Sequence, residues 1–345
     1  MPTSHFLCMP NNALVIAEKH VRDILQLAIR HAPPHAALVV FDKNSTLSVT
    51  LTAAYQRCLP NAALMDFDEV TPEAIFAQFD KLVPADLVVL IQSSNFRLEA
   101  FRIRVELFKR GLKVVEHPHL ARMQGAECDL YIDALAYDAD YFRSTGQSLK
   151  RHIDTAPYGA IESGGELLHI ASPFEPAKLN VGDYSEMNNV GGQFPIGEVF
   201  TEALDLEAVN GRVRIFAFGD TAFATNIPDI PITLVVEKGR VTQALNSTPE
   251  FDLVMDNIRA DEGEIWLREL GFGLNRAFTK ERVVNDIGTY ERMCGMHLSL
   301  GAKHGSYSKP QIRRASARHH VDVFAVTESV TLGDAEVYRD GAWIN

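Results

Sequence analysis

Residues 86–92 read DLVVLIQ (Asp86–Gln92). Five apolar residues in succession, bracketed by polar ones, form a run too short for a typical helix and apolar on both faces. That pattern marks a strand buried on both sides, as in a parallel sheet covered by helices. Its surroundings agree. Upstream, Ala13–His31 has helical apolar spacing, Ala36–Phe41 is a compact β-type run ending at Asp42, Thr50–Cys58 is helical and Ala63–Phe67 is a short strand. Thr71–Leu82 opens on a Thr-Pro-Glu helix start. Downstream, Phe96–Arg110 is an amphipathic helix closed by Gly111, and Leu112–Glu116 is the next strand. Strand–helix alternation at this spacing predicts an α/β N-terminal domain with a mostly parallel sheet.

The motifs absent from this half limit its chemistry. It has neither GxGxxG nor GxxxxGK[ST], so a dinucleotide or P-loop site has no support. Ser93, Ser94 and Asn95 follow a strand end, where open α/β sheets bind ligands, but they read first as a polar turn that caps the next helix at Asn95 or Ser94. The chain carries 33 basic against 45 acidic residues, a net charge of −12, which argues against a nucleic-acid partner. A hydrophobic fraction of 46% provides for a sizeable core. The longest apolar runs are too short to span a bilayer, so no membrane partner is expected. No signal-peptide pattern opens the chain, which points to a cytoplasmic protein. Cys8, Cys58, Cys128 and Cys294 lack CxxC spacing and read as free thiols.

Met123–Ile153 is helical, and Gly159–Ser172 is a hairpin about Gly164 and Gly165. Pro173, Pro176 and Gly182 then cluster with polar residues, placing a boundary between residues 1–180 and 181–345. The second part is rich in strands: Val213–Phe218, Ile232–Glu237, Gly263–Leu270, His297–Leu300, Val321–Ala325 and Ala335–Tyr338. Helix is expected only at Pro249–Asp261 and Lys280–Met293. This predicts an α+β C-terminal domain with a largely antiparallel or mixed sheet.

Metal-capable side chains recur on those strands. His320 and Asp322 stand two apart, and alternate residues of a strand share a face. An imidazole and a carboxylate on one face suit Zn, Mn, Co or Fe, although a surface ion pair has the same spacing. Glu269 is read as the end of an apolar strand, before Gly271 and Gly273. His297 lies within MHLSLG, where a hydrogen-bonded core histidine is the ordinary alternative. Glu198, in PIGEVF, is a carboxylate among apolar residues, costly to bury without a cation. Together they predict one divalent metal site in the second half of the chain.

These segments resemble the aminopeptidase T family of metallo-aminopeptidases. The family has a GEVF segment, a Glu before a Gly-x-Asn turn, an HxALG segment and a late HxD. Here they stand as Gly197–Phe200, Glu269–Asn275, His297–Gly301 and His320–Asp322. The resemblance implies a centre of two Zn, Co or Mn ions on Glu198, Glu269, His297, His320 and Asp322. It also implies a peptide or peptide-derived substrate, a homodimer, and Glu198 or Glu269 as general base. A family ligand just before the HxALG histidine corresponds most nearly to Glu291, displaced by one residue. The family has a Tyr seven residues after that histidine; this chain has His304, read as a proton donor or a further ligand. The chain is also similar to 2,5-dihydroxypyridine dioxygenase, a mononuclear Fe(II) enzyme with a His in place of Glu269. Two further readings therefore stand beside the aminopeptidase. One is an Fe(II) ring-cleaving dioxygenase. The other is a non-hydrolytic peptide-binding protein of the same fold, as in peptide natural-product assembly.

Overall fold

The computed structural model describes residues 11–98 and 103–344. The chain forms two compact units, Met1–Ala139 with Gly182–Ile196, and Asp140–Val181 with Gly197–Asn345. It therefore changes unit three times, where the sequence reading places one boundary at 180/181. The reason lies in strand pairing. The hairpin of Gly159–Ser163 and Glu166–Ile170 pairs with strands of the second unit, whereas Gly191–Gln193 adds an edge strand beside Lys113–His117 in the first.

The first unit holds a five-stranded parallel sheet, in the order Ala63–Asp66, Ala37–Phe41, Leu87–Ile91, Lys113–His117, Gly191–Gln193. Leu87–Ile91 is central and every residue in it is buried, as its unbroken apolar run requires. Leu38, Val40, Val88, Leu90 and Val114 pack with Ile75, Phe79, Ile103 and Leu107. Two helix starts follow from local chemistry. Ser45 and Ser48 form a reciprocal capping box for Thr46–Cys58, and Thr71 accepts from the Ala74 amide ahead of Pro72–Phe79.

Ser93, the residue before the two candidate caps, is held at the strand end. Its amide and hydroxyl both donate to Asp42, at 2.6 and 2.5 Å, so it ties two strand ends together. The next helix is Ile103–Lys109, shorter than expected. Phe96 and Leu98 are instead core residues, and 99–102 lie outside the described residues.

The second unit is built on an antiparallel sheet. Part of its strand order is Gly159–Ser163, Glu166–Ile170, Val209–Gly219, Val321–Ala325, Gly295–Leu300, Leu267–Gly273, Glu198–Glu202 and Lys178–Asn180. The strands of Asp322, His297, Glu269 and Glu198 are thus consecutive neighbours. Pro249–Glu262 is helical, with Thr248 as its N-cap. Lys280–Met293 is not: only Ile287–Tyr290 forms a short helix. Thr279 and Arg282 close a turn on each other, and the Asn285 carbonyl accepts from the Thr225 amide. These bonds fix a turn and an irregular segment until Asp286 caps the short helix.

The α/β and α+β fold classes are therefore those the sequence predicts. Among the described residues no helix is long and apolar enough to cross a membrane. Cys58, Cys128 and Cys294 are free, and Cys8 lies outside the described residues.

Candidate metal centre

Strand register assembles the site. Glu202 stands opposite Glu269, Gly273 opposite Glu198, Gly271 opposite His297, and Ser299 opposite Asp322. Residues 269, 271 and 273 alternate along one strand and so share a face. Glu269 does not end its strand, which continues through Gly273. The glycine at 271 has a steric role: a Cβ there would stand 2.0 Å from the His297 ring. Only a residue without a side chain lets the imidazole lie across the Glu269 strand.

Glu269 is the hub, with one group of donors at each carboxylate oxygen. Its Oε1 lies 3.5 Å from His297 Nε2, which is also 3.3 Å from Glu198 Oε1. Its Oε2 lies 3.0 Å from His304 Nε2 and 4.0 Å from His320 Nε2, while His320 Nε2 is 3.1 Å from Asp322 Oδ1. Two donors each about 2.1 Å from a common ion stand no more than about 4.2 Å apart, so every one of these pairs fits shared ligation. Glu198, Glu269 and His297 present donor atoms all within 4.8 Å of one another, and all three are buried. Mixed imidazole and carboxylate donors suit a borderline divalent cation.

The titration of these groups reflects the crowding. Burial alone would lower the His297 pKa, but hydrogen bonds with Glu198 and Glu269 hold it well above the ordinary histidine range. Burial would raise the Glu269 carboxyl, yet His297 and His304 hold it far below the usual carboxylate range. His304 and His320 are raised in the same way, against burial, by Glu202 with Glu269 and by Asp322 with Glu269 respectively. Several negative charges thus converge on a small space where protonated imidazoles balance them. A metal cation would do the same.

A buried ionic layer supports the hub. Glu202, with a fully buried side chain, is bonded to His304 Nδ1, to Arg268 at 2.7 Å, and faces Lys309 at 3.7 Å. Lys309 also reaches Glu175 at 2.6 Å and the Ala203 carbonyl at 2.7 Å. The hydroxyl of Tyr307, whose ring packs edge-on to His304, donates to the Pro176 carbonyl at 2.7 Å. His319 lies away from the hub, on Asp261 at 2.6 Å.

Glu291 sits at the end of the short helix, paired with Arg292. The Arg292 guanidinium is buried, and its Nη2 lies 3.7 Å from Glu198 Oε2. Of the residues expected at the site, Glu198, Glu269, His297, His304, His320 and Asp322 come together, and Glu291 reaches it beside Arg292. Sequence reasoning missed Arg292, Glu202, Arg268 and Lys309. Only Glu202 carried a signal, lying four residues after Glu198 on one strand and hence on the same face.

No protein-family model matches the chain, and no curated protein matches its sequence. Among the solved structures that share its fold are two of known reaction. The 2,5-dihydroxypyridine dioxygenase of Pseudomonas putida KT2440 superposes with a TM-score of 0.63 at 15% identity, over 96% of this chain and 97% of that one. Wild-type AmpT of Thermus thermophilus superposes with a TM-score of 0.59 at 12% identity, over 96% and 99%. Sequence identity this low establishes a common fold and leaves the reaction to the site.

Proposed function

We propose that this chain is a metal-dependent hydrolase of the aminopeptidase T type, acting on the N-terminal bond of a peptide or peptide-derived molecule. The observation that carries the reading is the hub. Glu269 offers one oxygen to each of two donor groups, and one of those groups contains a second buried carboxylate, Glu198. A divalent ion held here would polarise a carbonyl and lower the pKa of a water. The chain's own residues do the rest. Glu198 takes the proton of the attacking water, and His297, hydrogen-bonded to Glu198 and Glu269, holds a proton to return to the leaving amine. A free ammonium group on the substrate would pair with one of these carboxylates in place of a protonated imidazole.

The test is turnover of a panel of free and N-acetylated peptides by protein reloaded with Zn, Mn or Co. Cleavage of the free peptides alone, abolished by Glu269→Gln, is the expected result. Equal turnover by Glu269→Gln would remove the mechanism. Chelator-resistant peptide binding without cleavage under any metal would favour the binding-protein reading instead.

One observation favours an oxygenase as second reading. His304 and His320, with ring centroids 5.9 Å apart, flank Glu269 and Asp322, a two-histidine and carboxylate set of the kind that holds Fe(II). Oxygen uptake with a dihydroxylated aromatic ring, dependent on Fe(II), would establish it. Absence of uptake would exclude it.

A further inference from the structure

Open parallel sheets bind ligands outside the carboxyl ends of their strands, where the strand order reverses. In the first unit that point lies between Ala37–Phe41 and Leu87–Ile91: Ala63–Asp66 pairs with the former on one side, and Lys113–His117 with the latter on the other. The unit's own side chains fill the crevice there. The Asp42 carboxylate accepts from the Ser93 amide and hydroxyl and from the Asn44 amide at 3.0 Å, and Ser45 Oγ lies 2.8 Å from Ser93 Oγ. One strand further along, at the ends of Leu87–Ile91, Lys113–His117 and Gly191–Gln193, a cavity of about 480 Å³ opens. Its polar lining includes Gln92, Arg97, Arg104, Glu116, His119 and Gln193. The volume is that of a small-molecule site.

Backbone hydrogen bonds fix the walls. The Leu120 amide donates to the Gln92 carbonyl at 3.0 Å, the Ala121 amide to the Ser93 carbonyl at 3.1 Å, and the Phe194 amide to the Glu116 carbonyl at 2.8 Å. The side chains are ordered as well. Buried Gln92 accepts from the Phe96 amide at 2.8 Å and donates to Glu116 Oε1 at 3.0 Å. Arg104 donates to Glu116 Oε2 at 2.7 Å. Glu116 thus matches the charge of Arg104, and both of its oxygens are engaged. Arg97 differs: it is exposed, and its guanidinium makes no ion pair or hydrogen bond among the described residues. Two guanidiniums against one carboxylate leave the lining with a single positive charge, in a chain whose net charge is −12. Phe96 and Ile103, both buried, give the cavity an apolar side.

We propose that this cavity is a ligand site of the first unit, taking a small organic carboxylate with an apolar body. The carboxylate pairs with Arg97, whose planar guanidinium can donate to both of its oxygens, and the body lies against Phe96 and Ile103. A monoanion is the matched charge. A phosphate monoester, with close to two negative charges, leaves one of them unbalanced beside Glu116. The inference does not rest on the metal-centre reading, and the failure of either leaves the other standing.

The test is a titration of the full chain, labelled for amide NMR, with 4-methylpentanoate and with phenylacetate. Each is compared with its primary amide and with isopentyl phosphate. Saturable shifts at Gln92, Arg97, Glu116 and His119 are expected with at least one carboxylate, with a Kd on the order of millimolar, as ligands of this size reach. The primary amides should bind about 10-fold more weakly or worse, and Arg97→Gln should weaken the carboxylate by about 10-fold or more, because a charged hydrogen bond is lost. Arg97 is exposed, so its replacement leaves the core intact. Arg104→Gln frees Glu116 to repel the ligand and should weaken it at least as much. Lys19→Gln removes an exposed cation that is not in the lining and should leave the affinity within about twofold.

No saturable shift with either carboxylate would overturn the proposal. So would primary amides that bind as tightly as the acids, a phosphate that binds more tightly than both, or an Arg97→Gln protein of unchanged affinity. Shifts confined to the Leu267–Gly273 strand would place the carboxylate at the metal centre and overturn it as well.

Discussion

His117 of the first unit and His297 of the second are equally buried, at 0% and 1% exposure, and their protons are governed in opposite ways. His117 lies between two phenols. Tyr55 Oη stands 2.8 Å from its Nε2 and Tyr131 Oη 2.9 Å from its Nδ1. The Tyr131 hydroxyl donates to the Phe194 carbonyl at 3.0 Å, so it accepts from Nδ1–H, and Nε2 accepts from Tyr55. The neutral ring is fully satisfied, and burial pushes its pKa down to about 3. His297 lies between two carboxylates and is pulled the other way. The same residue at the same depth is thus a neutral structural wedge in one unit and part of a charge-balancing cluster in the other. The partners, not the burial, decide which.

The largest effect that separates the two environments should come from their supporting groups. Removing Glu202 strips the partner from Arg268, Lys309 and His304 at once. Breaking a buried ion network from one side leaves uncompensated charge, so Glu202→Ala should cost about 3–5 kcal/mol in denaturant unfolding. Tyr131→Phe, the corresponding change beside His117, deletes a neutral hydrogen-bonding group and should cost about 1 kcal/mol. A Glu202→Gln protein as stable as the unaltered one would show that the layer is not held by charge, and the contrast would collapse.

A smaller effect tests the packing that brings His297 over the hub. Gly271→Ala places a methyl group in the His297 ring. Overpacking of this kind should cost about 1–3 kcal/mol. Adding His297→Ala makes room for the methyl, so the double variant should recover part of the loss in thermal unfolding. Strictly additive losses would mean that Gly271 and the ring do not compete for the space.

How much of this was legible in the sequence depended on periodicity. Asp86–Gln92 announced the parallel sheet because a strand buried on both faces has no polar alternation. His320 and Asp322, two apart, could be placed on a shared face by counting in twos, whereas the glycines at 271 and 273 read as a turn and hid the continuation of the Glu269 strand. Arg292 could not be placed by counting. It follows a four-residue helix in an otherwise irregular segment, where no period says which way a side chain turns, and reading 280–293 as a longer helix hid it further. Lys309 escaped for a related reason. It lies in a turn-rich stretch and is buried by partners, Glu175 and Ala203, more than 100 residues away.

The last contrast is in pH dependence, and His117 supplies it without reference to any metal. Its folded pKa, about 3, lies below the ordinary unfolded value. At neutral pH both states hold a neutral ring, so the contribution is fully present. As pH falls through ~6.5 the unfolded chain takes a proton that the folded chain refuses until about 3. Across that window the first unit should therefore lose about 1.4 kcal/mol for each unit of pH from this residue alone. His117→Gln keeps a hydrogen-bonding side chain but cannot titrate. Its own stability is lower at neutral pH, yet its acid limb should be shallower by that one proton. Amide exchange of the Lys113–His117 strand, followed at several acidic pH values, reads the first unit without mixing in the second. Limbs that run parallel in the two proteins would mean that His117 is protonated in the folded state. The phenol pair would then be no more protective of a neutral ring than the carboxylates around His297.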